Sequence, residues 1–309
     1  MSFSGEIKAE LCELSMDNED TARAELYGFL LFCKSFKNDN IVFSTENADS
    51  AKRFCLLLAG CCKIIAQVKY TSTNKKSGAM LYTSSVVYKN DVSKVFDYVM
   101  HNPDDISLRI NKALIDSSEA KCAFLRGVFL CTGTVSNPER EYHLEFSSPY
   151  KNVVNDLCNL IISVSEEVSD IKIIPRTLIR KGNYIVYFKD KDAIAEMLAI
   201  MGASKANMVF IQKTIEKDII NRTTRITNSE IANSNKTAKA AAVQLEAIKK
   251  LKASGKFNSL SDELKELAIL RYENPEMSLR ELGESLNPKI SRSGVNHRLN
   301  KIVEMSKYE

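Results

Sequence analysis

An internal duplication in the first 220 residues does most to limit the folds open to this chain. When Gly28 is aligned with Gly127, ARAELYGFLLFCKSF at 22–36 overlays KCAFLRGVFLCTGTV at 121–135, with alanine, leucine, glycine and leucine at matching positions. Each copy predicts an apolar helix with glycine at its centre. Because glycine lets another backbone come close, we expect Gly28 and Gly127 to mark a direct contact between the two helices on a pseudo-twofold axis.

Strand-forming segments follow each copy and predict two matching halves. The first half continues with QVKYTS, MLYTSSVVYKN and the helix DVSKVFDYVM, and the second with YHLEFSS, a helix over 150–167, IKIIPRT, NYIVYFKD and the helix KDAIAEMLAIMG. The predicted fold class is therefore α+β. Residues 1–215 are expected to form a duplicated α/β domain with antiparallel hairpins, its halves at about 1–110 and 111–215.

Positive charge is concentrated in one segment, although the whole chain carries a net charge of only +4. Residues 221–258 hold eight basic residues against two acidic ones, and 259–309 are nearly neutral. The segment predicts a basic linker helix over 216–258 that breaks at Ser254–Gly255 and aligns Val243, Ala247 and Leu251 on one stripe. We expect it to bind DNA phosphates through Lys236, Lys239 and Lys249; a solvated connecting helix is the alternative.

Residues 259–309 predict an all-α helix-turn-helix domain of three short helices. The second helix, SLRELGESL, opens with the Ser-x-x-Glu capping arrangement of Ser278 and Glu281 and must stop before Pro288. Ser291 is the expected N-cap of a third helix that extends to about Lys307 with apolar residues along one side.

The outward side of this third helix carries the predicted base contacts. Asparagine pairs with adenine edges, whereas cations and the N–H groups at a helix start bind phosphates. The predicted DNA-binding residues of the domain are Arg280, Lys289, Ser291, Arg292, Ser293, Asn296, His297, Asn300 and Lys301. A three-helix interaction module without DNA contact is the alternative.

Cysteine and histidine usage argues against a zinc site. The eight cysteines lie mostly in apolar runs without a CxxC pair, and the three histidines are scattered, so we expect reduced core thiols. The longest apolar stretches are too short to cross a membrane and the acidic start is unlike a signal peptide. These features predict a cytoplasmic protein, associated with the nucleoid if it binds DNA, and no cofactor.

The paired glycine helices resemble the motif helices of LAGLIDADG homing endonucleases, whose sheets form a saddle over DNA. In active members an acidic residue near the foot of each motif helix holds a divalent metal for phosphodiester hydrolysis. Aligned on the glycines, those positions are Cys33 and Thr132 here, which supply no carboxylate. The resemblance therefore implies a degenerate domain that is not an enzyme. A metal-dependent nuclease that uses Asp39 or Glu25 is the enzyme alternative.

Taken together, the two parts are similar to the WhiA family, most specifically in NRTTRITNSEIANSNKTAKAAAVQLEAI and SLRELGESLNPKISRSGVNHRLNKI. The resemblance implies a DNA-binding transcription regulator linked to sporulation in some lineages and to cell division and chromosome segregation in others. Its expected partner is double-stranded DNA, with transcription machinery or other regulators as further candidates. A protein-docking or ligand-sensing adaptor is a third possibility. Operator sequence, activation or repression, and oligomeric state stay open.

Overall fold

The structure is a computed structural model that describes residues 2–72, 80–102 and 107–307. It divides into two compact units, unit 1 up to Lys217 and unit 2 from Asp218 onward. Among the described residues, no helix is long and apolar enough to cross a membrane.

Unit 1 contains two halves with the same order of elements after an N-terminal helix. The N-terminal helix is α1 (Phe3–Cys12). The first half then comprises α2 (Glu19–Phe32), β1 (Ser35–Lys37), β2 (Asn40–Thr45), α3 (Ala48–Leu57), β3 (Gln67–Ser72), β4 (Met80–Val86) and α4 (Lys89–Tyr98). The second comprises α5 (Ser118–Thr132), β5 (Thr134–Val135), β6 (Leu144–Ser148), α6 (Lys151–Val168), β7 (Arg176–Arg180), β8 (Asn183–Phe188) and α7 (Lys191–Met201).

Each half forms a four-stranded antiparallel sheet, ordered β1-β2-β4-β3 in one and β5-β6-β8-β7 in the other. The inner strands of each sheet bury residues in the core, among them Phe43 on β2 and Phe146 on β6, whereas the edge strands β3 and β7 are exposed throughout. The predicted α+β class is confirmed. The segment IKIIPRT was wrongly expected to be a strand throughout: β7 begins only at Arg176, because Ile173 is buried in a loop and its N–H donates to the Ser165 hydroxyl.

The motif helices α2 and α5 pack directly against each other at their glycines. A Cβ placed on Gly28 would lie 2.4 Å from the Phe124 carbonyl oxygen, and one on Gly127 would lie 2.1 Å from the Glu25 carbonyl oxygen. Both obstacles are main-chain atoms of the opposite helix. Only residues without a Cβ therefore permit this helix separation.

A single long helix, α8 (Ser204–Ala253), follows α7. The expected linker helix over 216–258 is thus not a separate element, because α8 begins earlier: Gly202, with φ of +93°, ends α7, and the Glu10 carboxylate accepts from the N–H groups of Lys205 and Ala206 at 2.7 and 2.8 Å. Gly255 has a φ of +70°, which agrees with the expected break. Unit 2 then adds α9 (Asp262–Glu273), α10 (Leu279–Ser285) and α11 (Arg292–Met305).

Candidate nucleic-acid interface

A tight turn joins α10 to α11 in unit 2. The predicted capping box is present: the Ser278 hydroxyl accepts from the Glu281 N–H at 3.2 Å, and the Glu281 carboxylate accepts from the Ser278 N–H at 2.7 Å. That backbone hydrogen bond lowers the pKa of Glu281. Beyond it, a Cβ on Gly283 would lie 2.3 Å from the Ile290 carbonyl oxygen, so the glycine lets the turn fold back onto α10.

Three buried residues fix the orientation of α11. Val295, Leu299 and Ile302 lie in the apolar core of unit 2, and the Ser291 hydroxyl caps the helix by accepting from the Gly294 N–H at 3.2 Å. The helix ends at Met305, short of the expected Lys307, and residues 308–309 of the predicted domain lie outside the described residues.

The structure brings the predicted contact residues of α11 onto the side that faces away from this core. Ser291, Arg292, Ser293, Asn296, His297, Asn300 and Lys301 are all exposed. Lys289 in the turn and Arg280 on α10 are exposed as well. Arg280 pairs with Glu284 at 2.9 Å, and Arg298, beside the predicted set, pairs with Glu263 at 2.7 Å.

The predicted phosphate contacts of α8 are also exposed. Lys236, Lys239 and Lys249 lie in solvent on the part of the helix that belongs to unit 2. The expected stripe is confirmed at Ala247 and Leu251, which are buried, and wrong at Val243, which is 54% exposed. Gln244 and Ile248 are buried instead, so the buried face is shifted toward them at this point of α8.

Two cations of unit 2 have structural surroundings that sequence reasoning missed. The Arg271 guanidinium is buried and donates to the carbonyl oxygens of Pro275 and Met277, so it holds the loop between α9 and α10. The Lys252 ammonium lies 4.0 Å from the centre of the Tyr272 ring. The partners of Arg271 are backbone oxygens, which cannot be identified from the sequence. For Lys252, the aromatic residue Tyr272 was the one feature of the sequence that could have predicted the contact.

The feet of the motif helices hold thiols and a buried lysine. The Cys33 thiol donates to the Leu30 carbonyl oxygen, and burial raises its pKa to about 12. Thr132 bonds weakly to its own helix. Lys8 of α1 lies against the end of α5, where its ammonium donates to the Leu130 carbonyl oxygen at 3.4 Å; burial lowers the pKa of Lys8.

The two carboxylates proposed as alternative metal ligands lie apart in structure and surroundings. Glu25 is buried between the motif helices, and its carboxylate accepts from the Arg53 Nε at 2.7 Å and from the Arg126 Nε at 2.7 Å. Asp39 is exposed in the turn between β1 and β2. Within the described residues, no cluster of three or more His, Cys, Asp or Glu side chains is arranged to hold a metal ion.

Comparison with known families assigns both parts of the chain. The model of the WhiA LAGLIDADG-like domain matches residues 121–220, and the model of the WhiA C-terminal HTH domain matches residues 223–306. The two matches together cover more than half of the chain.

Similarity to individual relatives extends over nearly the whole length. The chain is 34% identical to proteins named probable cell division protein WhiA from Clostridium perfringens and Clostridium botulinum, covering 99% of this chain and 98% of each relative. The crystal structure of full-length DUF199/WhiA from T. maritima is similar with a TM-score of 0.58 and 23% identity, over 99% of this chain and 98% of that one. That structure supports the fold.

Proposed function

The chain belongs to the WhiA family, and from this premise we propose that it is a sequence-specific DNA-binding regulator of transcription. The observation that carries the proposal is α11: a helix capped by Ser291, fixed by three buried apolar residues, and polar along its whole exposed side. In a helix-turn-helix, the recognition helix lies in the major groove and its outward side chains reach base edges. The name of the relatives suggests genes of cell division as targets, with sporulation and chromosome segregation as further candidates.

The exposed side chains of α11 divide by chemistry into two roles. Asn296 and Asn300 offer paired donors and acceptors for adenine edges, with His297 between them as a third base contact. Ser291, Ser293, Arg292 and Lys301 bind phosphates or sugars around the helix start and its outer side.

Cations outside α11 supply affinity without reading bases. Arg280 near the start of α10 and Lys289 in the turn before α11 are both exposed, and we assign them to the DNA backbone beside the recognition helix. Lys236, Lys239 and Lys249 on α8 add phosphate contacts, each of which releases counterions and makes binding more sensitive to salt. A chain held in this way would be found with the chromosome in the cell.

We propose further that the LAGLIDADG-like unit does not hydrolyse DNA. Cys33 and Thr132 lack the hard oxygen ligands that Mg²⁺ requires. The buried ammonium of Lys8, next to the foot of α5, would repel a divalent cation there. Of the two alternative ligands, Glu25 is held by two arginines and only Asp39 is exposed. A plasmid-nicking assay with Mg²⁺ or Mn²⁺ tests this, and nicking abolished by Asp39→Ala would refute it.

Separate substitutions on α11 and α8 test the main proposal. We expect Asn296→Ala to lose about 1–3 kcal/mol of binding free energy on the preferred sequence and to relax the choice of base at one position. We expect Lys249→Ala to weaken binding to all sequences equally and to reduce the salt slope by about one. Affinities measured on the selected and on scrambled duplexes, at several salt concentrations, distinguish the two effects.

Asn258→Ala serves as the matched control, because Asn258 is exposed in unit 2 outside both helices. Full sequence preference retained by Asn296→Ala would remove α11 from base recognition. Unchanged nonspecific binding by Lys249→Ala would remove that lysine from the interface.

A further inference from the structure

One stretch of α8 is exposed on every side. Each residue from 218 to 240 is exposed, so no part of this stretch packs on a core. Helices of ordinary domains bury an apolar stripe, so a stretch of helix that buries none of its side chains needs another reason to be kept. In the described part of the chain, Arg222, Arg225, Lys236 and Lys239 have no ion pair with a carboxylate, although Lys213 and Lys250 on the same helix do.

The sequence of this stretch repeats every seven residues. Written in sevens it reads NRTTRIT, NSEIANS and NKTAKAA, so asparagine recurs at 221, 228 and 235. Seven residues complete two turns of an α-helix to within roughly 20°, so these side chains form one row along the helix. We call Asn221, Asn228 and Asn235 the asparagine row.

The charge and size of the side chains next to the asparagine row follow the same seven-residue repeat. Arg222 and Arg225 accompany the first asparagine, and Lys236 and Lys239 take the same two positions beside the third. Beside the middle asparagine those positions hold Ser229 and Ala232, which are small. The face thus presents cations at both ends and a slim centre that permits close approach.

Acidic and apolar side chains lie away from the asparagine row. Glu230, the one carboxylate between 221 and 240, is about 180° from Asn221 around the helix axis. Ile219 and Ile226 form one exposed row, about 150° around the helix axis from Asn221. Ile220 and Ile231 form a second exposed row, about 90° from Asn221 on the other side. Between residues 221 and 240, the face that carries the asparagine row therefore holds no carboxylate and no large apolar side chain, unlike the apolar face by which an amphipathic helix docks in a protein groove.

We propose that the asparagine row is a second base-reading element, which lies in the major groove of double-stranded DNA. The inference rests on the proposed DNA-binding function and goes beyond phosphate contact by α8. The major groove admits an α-helix, and asparagine bonds bidentately to the N6 and N7 atoms of adenine. Each cation lies roughly 40° or 100° around the helix axis from the asparagine beside it, so with the row over the base edges the cations point toward the phosphates at the side of the groove.

Base reading by the asparagine row also explains why these three positions hold asparagine, although lysine would bind phosphate more strongly. Asparagine disfavours helices, and a row of three exposed ones weakens a helix that already lacks tertiary support. Phosphate contact alone needs only positive charge. Paired donors and acceptors on a groove-facing row match base edges.

The test selects binding sequences from a randomised double-stranded DNA library with three full-length proteins. One is wild type, one carries Asn221→Ala, Asn228→Ala and Asn235→Ala, and the matched control carries three alanines on the opposite side, Thr223→Ala, Thr227→Ala and Ser234→Ala. Alanine favours helices in every case, so both variants should fold, and circular dichroism checks that they do.

We expect wild type and the control to select the same sequence, with two blocks of preferred bases. The asparagine variant should keep the block read by α11 and lose the other, and bind the wild-type sequence at least tenfold more weakly, about 1.4 kcal/mol. Its affinity for random DNA and its salt slope should stay unchanged, because all four cations remain.

Two results would overturn the inference while leaving the proposed function intact. One is an unchanged selected sequence in the asparagine variant. The other is an equal loss of affinity for every sequence, which would reduce the row to backbone contact. If wild type itself selects no sequence, the proposed function fails first, and the second base-reading element fails with it.

Discussion

Replacement of Gly127 by alanine should separate the two motif helices and cost much of the stability of unit 1. The new Cβ would lie 2.1 Å from the Glu25 carbonyl oxygen and 2.9 Å from its carbonyl carbon. Ordinary van der Waals contact needs roughly 3.4 Å or more, so the helices must part by about 1 Å. Overpacking of a core typically costs about 1–3 kcal/mol. Because main-chain atoms cannot rotate away as a side chain would, we expect about 3 kcal/mol here.

The assay is urea unfolding of full-length Gly127→Ala, followed by circular dichroism and by intrinsic tyrosine fluorescence. Gly60→Ala is the matched control, since a Cβ at Gly60 meets no atom within 4 Å and the residue is exposed in the middle of the π-helical turn at Leu58–Cys62. Its unfolding free energy should stay within about 0.5 kcal/mol of wild type. If Gly127→Ala were no less stable than Gly60→Ala, the direct backbone contact of the motif helices would be refuted.

Two further predictions concern buried charge in unit 1. Lys8→Met should raise the unfolding free energy by about 1 kcal/mol or more at neutral pH, because it removes a buried ammonium. Burial lowers the pKa of Lys8 in the folded chain below its usual 10.5, so between these two pKa values the unfolded chain binds more protons than the folded one. The wild-type unfolding free energy therefore rises as the pH approaches 10.5, and the advantage of Lys8→Met over wild type should shrink. An advantage that does not change with pH would contradict this. Glu25→Gln should lower the unfolding free energy in urea by about 3–5 kcal/mol, because the buried Arg53 and the partly buried Arg126 would then lie beside a neutral side chain; a loss below about 1 kcal/mol would show that the network is dispensable.

Local sequence signals located most of the elements. The glycine duplication predicted the motif helices, and the Ser278 and Ser291 caps fixed the starts of α10 and α11 within a residue. The start of α8 had no such signal, because its cap is the Glu10 carboxylate from a helix far away in the sequence. The strand expected at IKIIPRT failed for a related reason. Of its isoleucines only Ile173 is buried, by tertiary packing rather than in a ladder, whereas Ile171 and Ile174 are exposed. The Ile173 N–H donates to a serine side chain instead of to a neighbouring strand.

The candidate site was more accessible to prediction than the interior of unit 1. Exposure along α11 follows directly from helical spacing once Val295 and Leu299 define its buried side. The ion network of Glu25 and the placement of Lys8 depend on partners that are distant in sequence, so charge patterning could not identify either one. Val243 was misplaced because an alanine-rich helix offers several similar stripes, and only the core of unit 2 decides among them.

The continuity of α8 bears on how two reading elements would work together. Ile248 and Leu251, near the end of α8, lie in the same core that holds Leu299 and Ile302 of α11. The asparagine row lies on the same unbroken helix and belongs to the same unit. An α-helix transmits orientation along its axis, whereas a glycine- or serine-rich tether leaves the distance between two modules free. If both helices read bases, the two blocks would therefore be recognised at a fixed spacing, and unit 2 alone would specify a longer site than a single recognition helix can contact.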